Sequence, residues 1–325
     1  MMGMSLTRKL KVMKDKLKIA VIGLLMGAAE VVPGVSGGTI AFITGIYERL
    51  LLALKQFTPR LLLGLRDPGI AALWRQVDAN FLLLLFGGMG VAILAFATGI
   101  SYLMQHQAVS LWAFFFGLVI ASSWVMAQQV SGFSARLLLF ATMGTATGIL
   151  LTGFAPIELP PTPLYIFLGG AIAVCAWILP GISGSFILLI LGLYGVIIDA
   201  IKQLDVVTLA LLGSGCAVGL VSFAQVLSRL FARARDETLA VLTGFMLGSL
   251  AKLWPWKQTL AYQLGSDGHQ IPLVQEPIWP ATYHTLTGLE PQIGLAVLAM
   301  LLGLVVVVGL DRFAMAETVS TRVKK

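Results

Sequence analysis

Residues 30–39 read Glu-Val-Val-Pro-Gly-Val-Ser-Gly-Gly-Thr, an acid, a proline and a small polar cluster set into apolar surroundings. Pro33 and Gly34 are expected to end one helix and Ser36 to cap the next, with Gly37, Gly38 and Thr39 supplying first-turn N–H groups almost free of side-chain bulk. Such a turn is a small anion cradle, because a helix N-terminus carries partial positive charge and its unpaired donors point outward. Pro180, Gly181, Ser183, Gly184 and Ser185 repeat the arrangement 147 residues later (180 minus 33). Small residues also let membrane helices pack closely, but packing alone does not require Pro-Gly-x-Ser twice at matched positions. Glu30 stands three residues before Pro33, and its counterpart 147 residues on is Trp177, so the two copies are chemically unequal. An intramembrane carboxylate is by default a functional residue. Here it can either accept hydrogen bonds from the second arm's N–H groups or take up a proton when an anion arrives, since like charge and desolvation favour the neutral acid.

The chain that must position these residues has 325 amino acids, 58% hydrophobic and 11% charged, with a mean hydropathy of +0.92. No soluble domain carries that composition on its surface. The expected fold class is an all-α polytopic membrane protein embedded in the lipid bilayer. Spans of about 20 apolar residues are predicted near 81–103, 108–130, 136–154, 207–230, 238–254 and 292–312. Two further apolar stretches, 18–54 and 164–201, are broken in the middle by Pro and Gly.

Self-similarity relates those two stretches. "PGVSGGTIAFITGIY" from Pro33 matches "PGISGSFILLILGLY" from Pro180, and "AFFFGLVIAS" from Ala113 matches "AVLTGFMLGS" from Ala240 at an offset of 127 (240 minus 113). One membrane domain over 1–325 is therefore expected to hold a first repeat at 18–154 and a second at 164–312. Charge assigns the sides: 19 of the 22 Lys and Arg residues fall on one side if each broken stretch enters and leaves by the same face, leaving Lys202, Lys252 and Lys257 on the other. The first hairpin then opens to the cytoplasm and the second to the outside, the inverted-repeat plan of secondary transporters. Both termini are placed in the cytoplasm.

The net charge of +7 is spread over loops of one side, which suits a membrane topology and gives no reason to expect a nucleic-acid partner. Cys175 and Cys216 lie in apolar segments without CxxC or His spacing, and no metal site, cofactor or GxxxxGK[ST] nucleotide loop is expected. Arg49 closes the first hairpin, as a snorkelling anchor or as a phosphate-receiving residue at its mouth. Trp254, Trp256 and Trp279 bracket a polar external loop as an interfacial belt.

"GLLMGAAEVVPGVSGGTIAFITGIYERLL" together with "WILPGISGSFILLILGLYG" resembles the bacterial polyprenyl phosphate transporter (PopT) family, once known only as a domain of unknown function. The resemblance covers nearly the whole chain. It implies translocation of undecaprenyl phosphate, the lipid carrier of cell-wall precursors, from the outer to the inner leaflet of the bacterial cytoplasmic membrane. The family pattern usually has Asp at the position of Glu30, a change that keeps the carboxylate and adds one methylene. "PGVSGGT" is also similar to the PGxSRSxxT motif of membrane undecaprenyl pyrophosphate phosphatases. Gly37 and Gly184 stand where such an enzyme has its arginine, and no paired Glu motif accompanies Glu30, so hydrolysis lacks its acid/base and cationic parts. The chain is expected not to be an enzyme. A small-anion transporter on the same scaffold is the other alternative. The expected substrate-binding set is Glu30, Ser36, Gly37, Gly38, Thr39 and Arg49 with Ser183, Gly184 and Ser185; Pro33, Gly34, Pro180 and Gly181 are the expected helix breaks.

Overall fold

The computed structural model describes residues 2–31, 36–57, 70–132, 134–153, 157, 159–264 and 270–322. Pro33 and Gly34 lie outside them. Along the chain come α1 (Met2–Glu30), α2 (Gly37–Ile43), α3 (Tyr47–Leu54), α4 (Ile70–Gln76), α5 (Ala79–His106), α6 (Ala108–Ala127), α7 (Ala135–Gly153), α8 (Pro163–Ile178), α9 (Gly184–Ile190), α10 (Tyr194–Gln203), α11 (Val206–Arg233) and α12 (Arg235–Leu253). An antiparallel hairpin of β1 (Lys257–Leu264) and β2 (Gln270–Pro277) follows, then α13 (Pro280–Thr287) and α14 (Ile293–Arg322).

The protein is a helical membrane protein. Among the described residues, α5, α6, α7, α11 and α14 are long and apolar enough to cross a bilayer. The sixth expected span forms as α12, but Arg235, Asp236, Glu237 and Lys252 near its ends make it less apolar than those five. The two broken stretches are bent pairs: α2 and α3 meet at 117°, α9 and α10 at 111°. Each bend is built on a glycine at positive φ, Gly45 at 72° and Gly192 at 70°, a conformation that costs other L-residues about 1–2 kcal/mol. With seven residues each, α2 and α9 rise only about 10 Å at 1.5 Å per residue. That is about a third of the hydrocarbon core, so neither completes a crossing.

Helix packing gives the direction of each hairpin. The α1 and α5 helices run parallel, Gly23 lying on the Leu85 carbonyl and Gly27 on that of Met89, so both start at one end of the bundle. At that same end Arg49 of α3 pairs with Asp78 just before α5, Glu48 with Arg235 at the start of α12, and Arg136 at the start of α7 with Glu237. The first hairpin thus goes in on α1 and comes back on α2 to the end it left. The second does the same from the opposite end: α8 runs parallel to α11, with Gly215 on the Phe167 carbonyl and Gly219 on that of Ala171.

Four helix crossings are reciprocal, each with a glycine on either helix facing the other's backbone carbonyl. Gly23 meets Leu85 while Gly88 meets Ala20 between α1 and α5; Gly170 meets Leu212 while Gly215 meets Phe167 between α8 and α11. Gly117 meets Met300 while Gly303 meets Phe114 between α6 and α14; Gly244 meets Ala141 while Gly144 meets Val241 between α12 and α7. Without a Cβ the backbones approach closely, which is how helices associate where lipid removes the hydrophobic drive.

Candidate functional site

The two hairpin tips touch at the centre of the bundle. Ser36 is extended (φ −114°, ψ 129°) and caps α2, its Oγ accepting from the Gly38 N–H at 3.1 Å. The same hydroxyl reaches the carbonyls of Trp177 at 3.2 Å and Leu179 at 3.0 Å in the second hairpin. Thr39 completes the junction, its Oγ1 accepting from the Gly181 N–H at 3.2 Å. Ser36, Thr39 and Ser183 are 1% exposed or less, so these polar groups depend on one another for hydrogen bonds. Gly38 is required by proximity: a Cβ there would stand 2.6 Å from the Ile178 carbonyl oxygen.

Glu30, at the end of α1, curls back over the first turn of α2 and accepts from the Gly37 N–H at 2.6 Å. The indole of Trp177, the residue matching Glu30 in the second half, lies beside the same carboxylate and stacks on Phe86 with ring centroids 6.0 Å apart. The carboxylate therefore sits where an external anion would sit on a helix N-terminus. The N–H groups of Gly37, Gly38 and Gly181 each have a protein acceptor.

The second tip has a different chemistry. Gly181 turns the chain at φ +89° against Met246 and Ser249 of α12, and Pro180 is buried beside it. Ser183 takes the Ncap position of α9 without making the capping bond, and its hydroxyl pairs instead with that of Ser185 at 2.8 Å. Gly184 faces the Ala173 carbonyl of α8. Ser185 looks away from the junction into a cavity at the end carrying the β-hairpin.

The structure thus brings Glu30, Ser36, Gly37, Gly38 and Thr39 to one tip, Ser183, Gly184 and Ser185 to the other, and seats the tips against each other. Arg49 is placed elsewhere. It lies past the α2–α3 bend, with Nε and Nη2 each 2.7 Å from Asp78 Oδ2 and the guanidinium 4.3 Å from the centre of the Phe81 ring. Two lysines that the sequence reading left only as external charges, Lys252 and Lys257, line the cavity that Ser185 enters. Their departure from the positive-inside pattern was the available signal.

Known proteins resemble this chain over most of its length. The family model described as VCA0040-like, undecaprenyl phosphate translocase-like, matches residues 26–271, a span that includes both tips and both cavity lysines. A polyprenyl-phosphate transporter of Vibrio cholerae is 45% identical over 294 residues, covering 90% of this chain and 95% of its own. A second polyprenyl-phosphate transporter, from Staphylococcus aureus, is 27% identical over 262 residues, 72% of this chain and 84% of its own. No solved structure matches the chain. With a family model spanning both broken hairpins and a relative this similar along nearly its full length, the chain belongs to the undecaprenyl phosphate translocase-like family.

Proposed function

We propose that this protein carries undecaprenyl phosphate across the bacterial cytoplasmic membrane, returning the lipid from the outer to the inner leaflet for cell-wall polymer synthesis. The observation that carries the mechanism is the junction of the tips, where two hairpins hung from opposite ends meet through Ser36, Thr39 and the backbone of residues 177–181. An arrangement related by inverted repeats gives the lipid head group one binding surface that each end of the bundle can reach in turn. Supporting the inverted repeat are the matched glycine crossings: Gly23 and Gly170 differ by 147 residues, as the tip motifs do, and Gly117 and Gly244 by 127. The clustering of 19 of the 22 Lys and Arg residues on one side supports placing that end and both termini in the cytoplasm.

In this mechanism the Glu30 carboxyl holds the place of the anion. A phosphate that takes the Gly37 and Gly38 N–H groups must displace the carboxylate, and two anions at one site favour protonation of the acid before it leaves. Proton uptake and head-group binding are thereby coupled, and the tips, packed against each other here, part to admit the phosphate.

The test is protein-dependent movement of labelled undecaprenyl phosphate between the leaflets of proteoliposomes, run beside a phosphate-release assay on the pyrophosphate form, with Ser36→Ala and Glu30→Gln for comparison. Movement without phosphate release, impaired in both variants, is the expected result. Phosphate release would overturn the transport reading in favour of an enzyme. Transport of inorganic anions in the absence of lipid movement would assign the tips to a soluble substrate.

A further inference from the structure

The cavity beside the second hairpin has a volume of about 630 Å³ and is walled by the ends of α5, α6 and α12 together with α9, α10, β1, β2 and α13. Its polar lining includes Lys252, Lys257, Ser185, Tyr194, Thr259 and Tyr283, and among the described residues no Asp or Glu lines it. The lysines converge because α12 stops at Leu253, Pro255 turns the chain, and β1 starts at Lys257 beside the last turn of the helix. Lys257 is 9% exposed. Its Nζ donates to the Lys252 carbonyl at 2.7 Å and sits 3.3 Å from the centre of the Trp112 ring. The Lys252 Nζ lies 4.8 Å from the centre of the Phe186 ring, on α9 of the same hairpin.

Lysine is almost never buried without a partner of opposite charge. Here two ammonium groups share one cavity, and neither has a carboxylate partner among the described residues. A ring face and a carbonyl offset only part of the desolvation of such a pair. What completes the balance is an anion of nearly two charges with several acceptor oxygens, which describes a phosphate monoester at neutral pH.

We propose that this cavity is the receiving site for a phosphate monoester head group, held between Lys252 and Lys257 with the Ser185 hydroxyl beside it. The proposal rests on the translocase reading for the source of that head group. It also gives the lipid a path inward: Ser185 is bonded to Ser183, which belongs to the tip, so the cavity and the junction share one wall. Burial, and next the neighbouring charge of Lys252, pull Lys257 well below the ordinary lysine range. An arriving phosphate opposes that shift and favours the ammonium form of Lys257. The other titratable groups lining the cavity are Lys252, Tyr194, Tyr262 and Tyr283.

The test is calorimetric titration of the full chain in detergent with geranyl phosphate, inorganic phosphate and geraniol, for the wild type, Lys252→Gln, Lys257→Met and the double variant. Lys257→Met keeps an unbranched side chain over Trp112, and Lys252→Gln changes the less buried lysine, so a folded variant is in hand either way. Geranyl phosphate affinity should fall roughly tenfold for each lysine removed, the scale of one hydrogen bond to a charged group. Geraniol should not bind. Inorganic phosphate binding as tightly as geranyl phosphate, and lost with the lysines, keeps the anion site and assigns it to the free ion. Unchanged geranyl phosphate affinity in both single variants overturns the site while leaving the translocase reading intact. That reading fails separately if the wild type moves no undecaprenyl phosphate in proteoliposomes while its lysine-dependent binding persists.

Discussion

The two hairpins share a frame and divide the chemistry. Both bend at a glycine with φ near 70°, at 117° and 111°, and both present a serine at the start of a seven-residue helix. The first tip is closed on itself, Ser36 capping the Gly38 N–H and Glu30 holding that of Gly37. The second has Trp177 in place of the acid, a serine pair in place of the cap, and two lysines nearby. The backbone frame is common to both, whereas a carboxyl group lies at one tip and lysines lie next to the other.

Removing the acid is the sharpest way to break the comparison. Glu30→Gln keeps an oxygen to accept from the Gly37 N–H, so melting in detergent should change little, whereas the pH dependence of lipid transport should vanish. A pH dependence that survives would leave the first tip as a structural clasp. Next in size is Gly38→Leu set against Ser185→Leu, the matching position of the second hairpin. The first forces a side chain onto the Ile178 carbonyl and should cost about 1–3 kcal/mol and abolish transport. The second points into the cavity and should block head-group binding with less loss of stability.

Ser36→Ala should cost about 1 kcal/mol through the lost cap, and Ser183→Ala clearly less, because Ser183 makes no capping bond. Denaturant titration of the two variants reads the difference, and equal losses would mean that the tips are not energetically distinct. The smallest contrast is Gly45→Ala against Gly192→Ala. At Gly45 an added Cβ meets nothing within 4 Å, so there only the backbone strain remains, and Gly192 shares its positive φ. Each should lose about 1 kcal/mol, and the two values should agree, since the bend is what the hairpins have in common.

Much of this was legible in the amino-acid order. Most long apolar runs became helices with ends within a few residues of those expected, Val206–Arg233 for 207–230 and Ala108–Ala127 for 108–130 among them, while the helix expected at 292–312 continues to Arg322. Duplicated Pro-Gly-x-Ser marked the two breaks because a helix interruption in hydrocarbon needs special residues. Other features depended on partners distant in sequence. That Ser36 meets Trp177 and Leu179 is a contact across more than 140 residues, which no local pattern encodes. The β-hairpin read simply as a polar loop, although Asp267-Gly268 between its strands is a sequence signal for a hairpin. Lys252 and Lys257 looked like scattered surface charge, because their convergence depends on the turn at Pro255 and on the rings of Phe186 and Trp112 coming from other helices.

The reciprocal glycine crossings have a mechanical consequence. The α6 helix of the first half is clasped by α14 of the second, and α12 of the second by α7 of the first, like two hands with fingers interlaced. Neither half can swing as a lever against the other without dragging a helix of its partner along. The stiff part of the machine is therefore the woven outer bundle. In the proposed transport cycle, the travel falls to the short seven-residue arms, each about two turns of helix long.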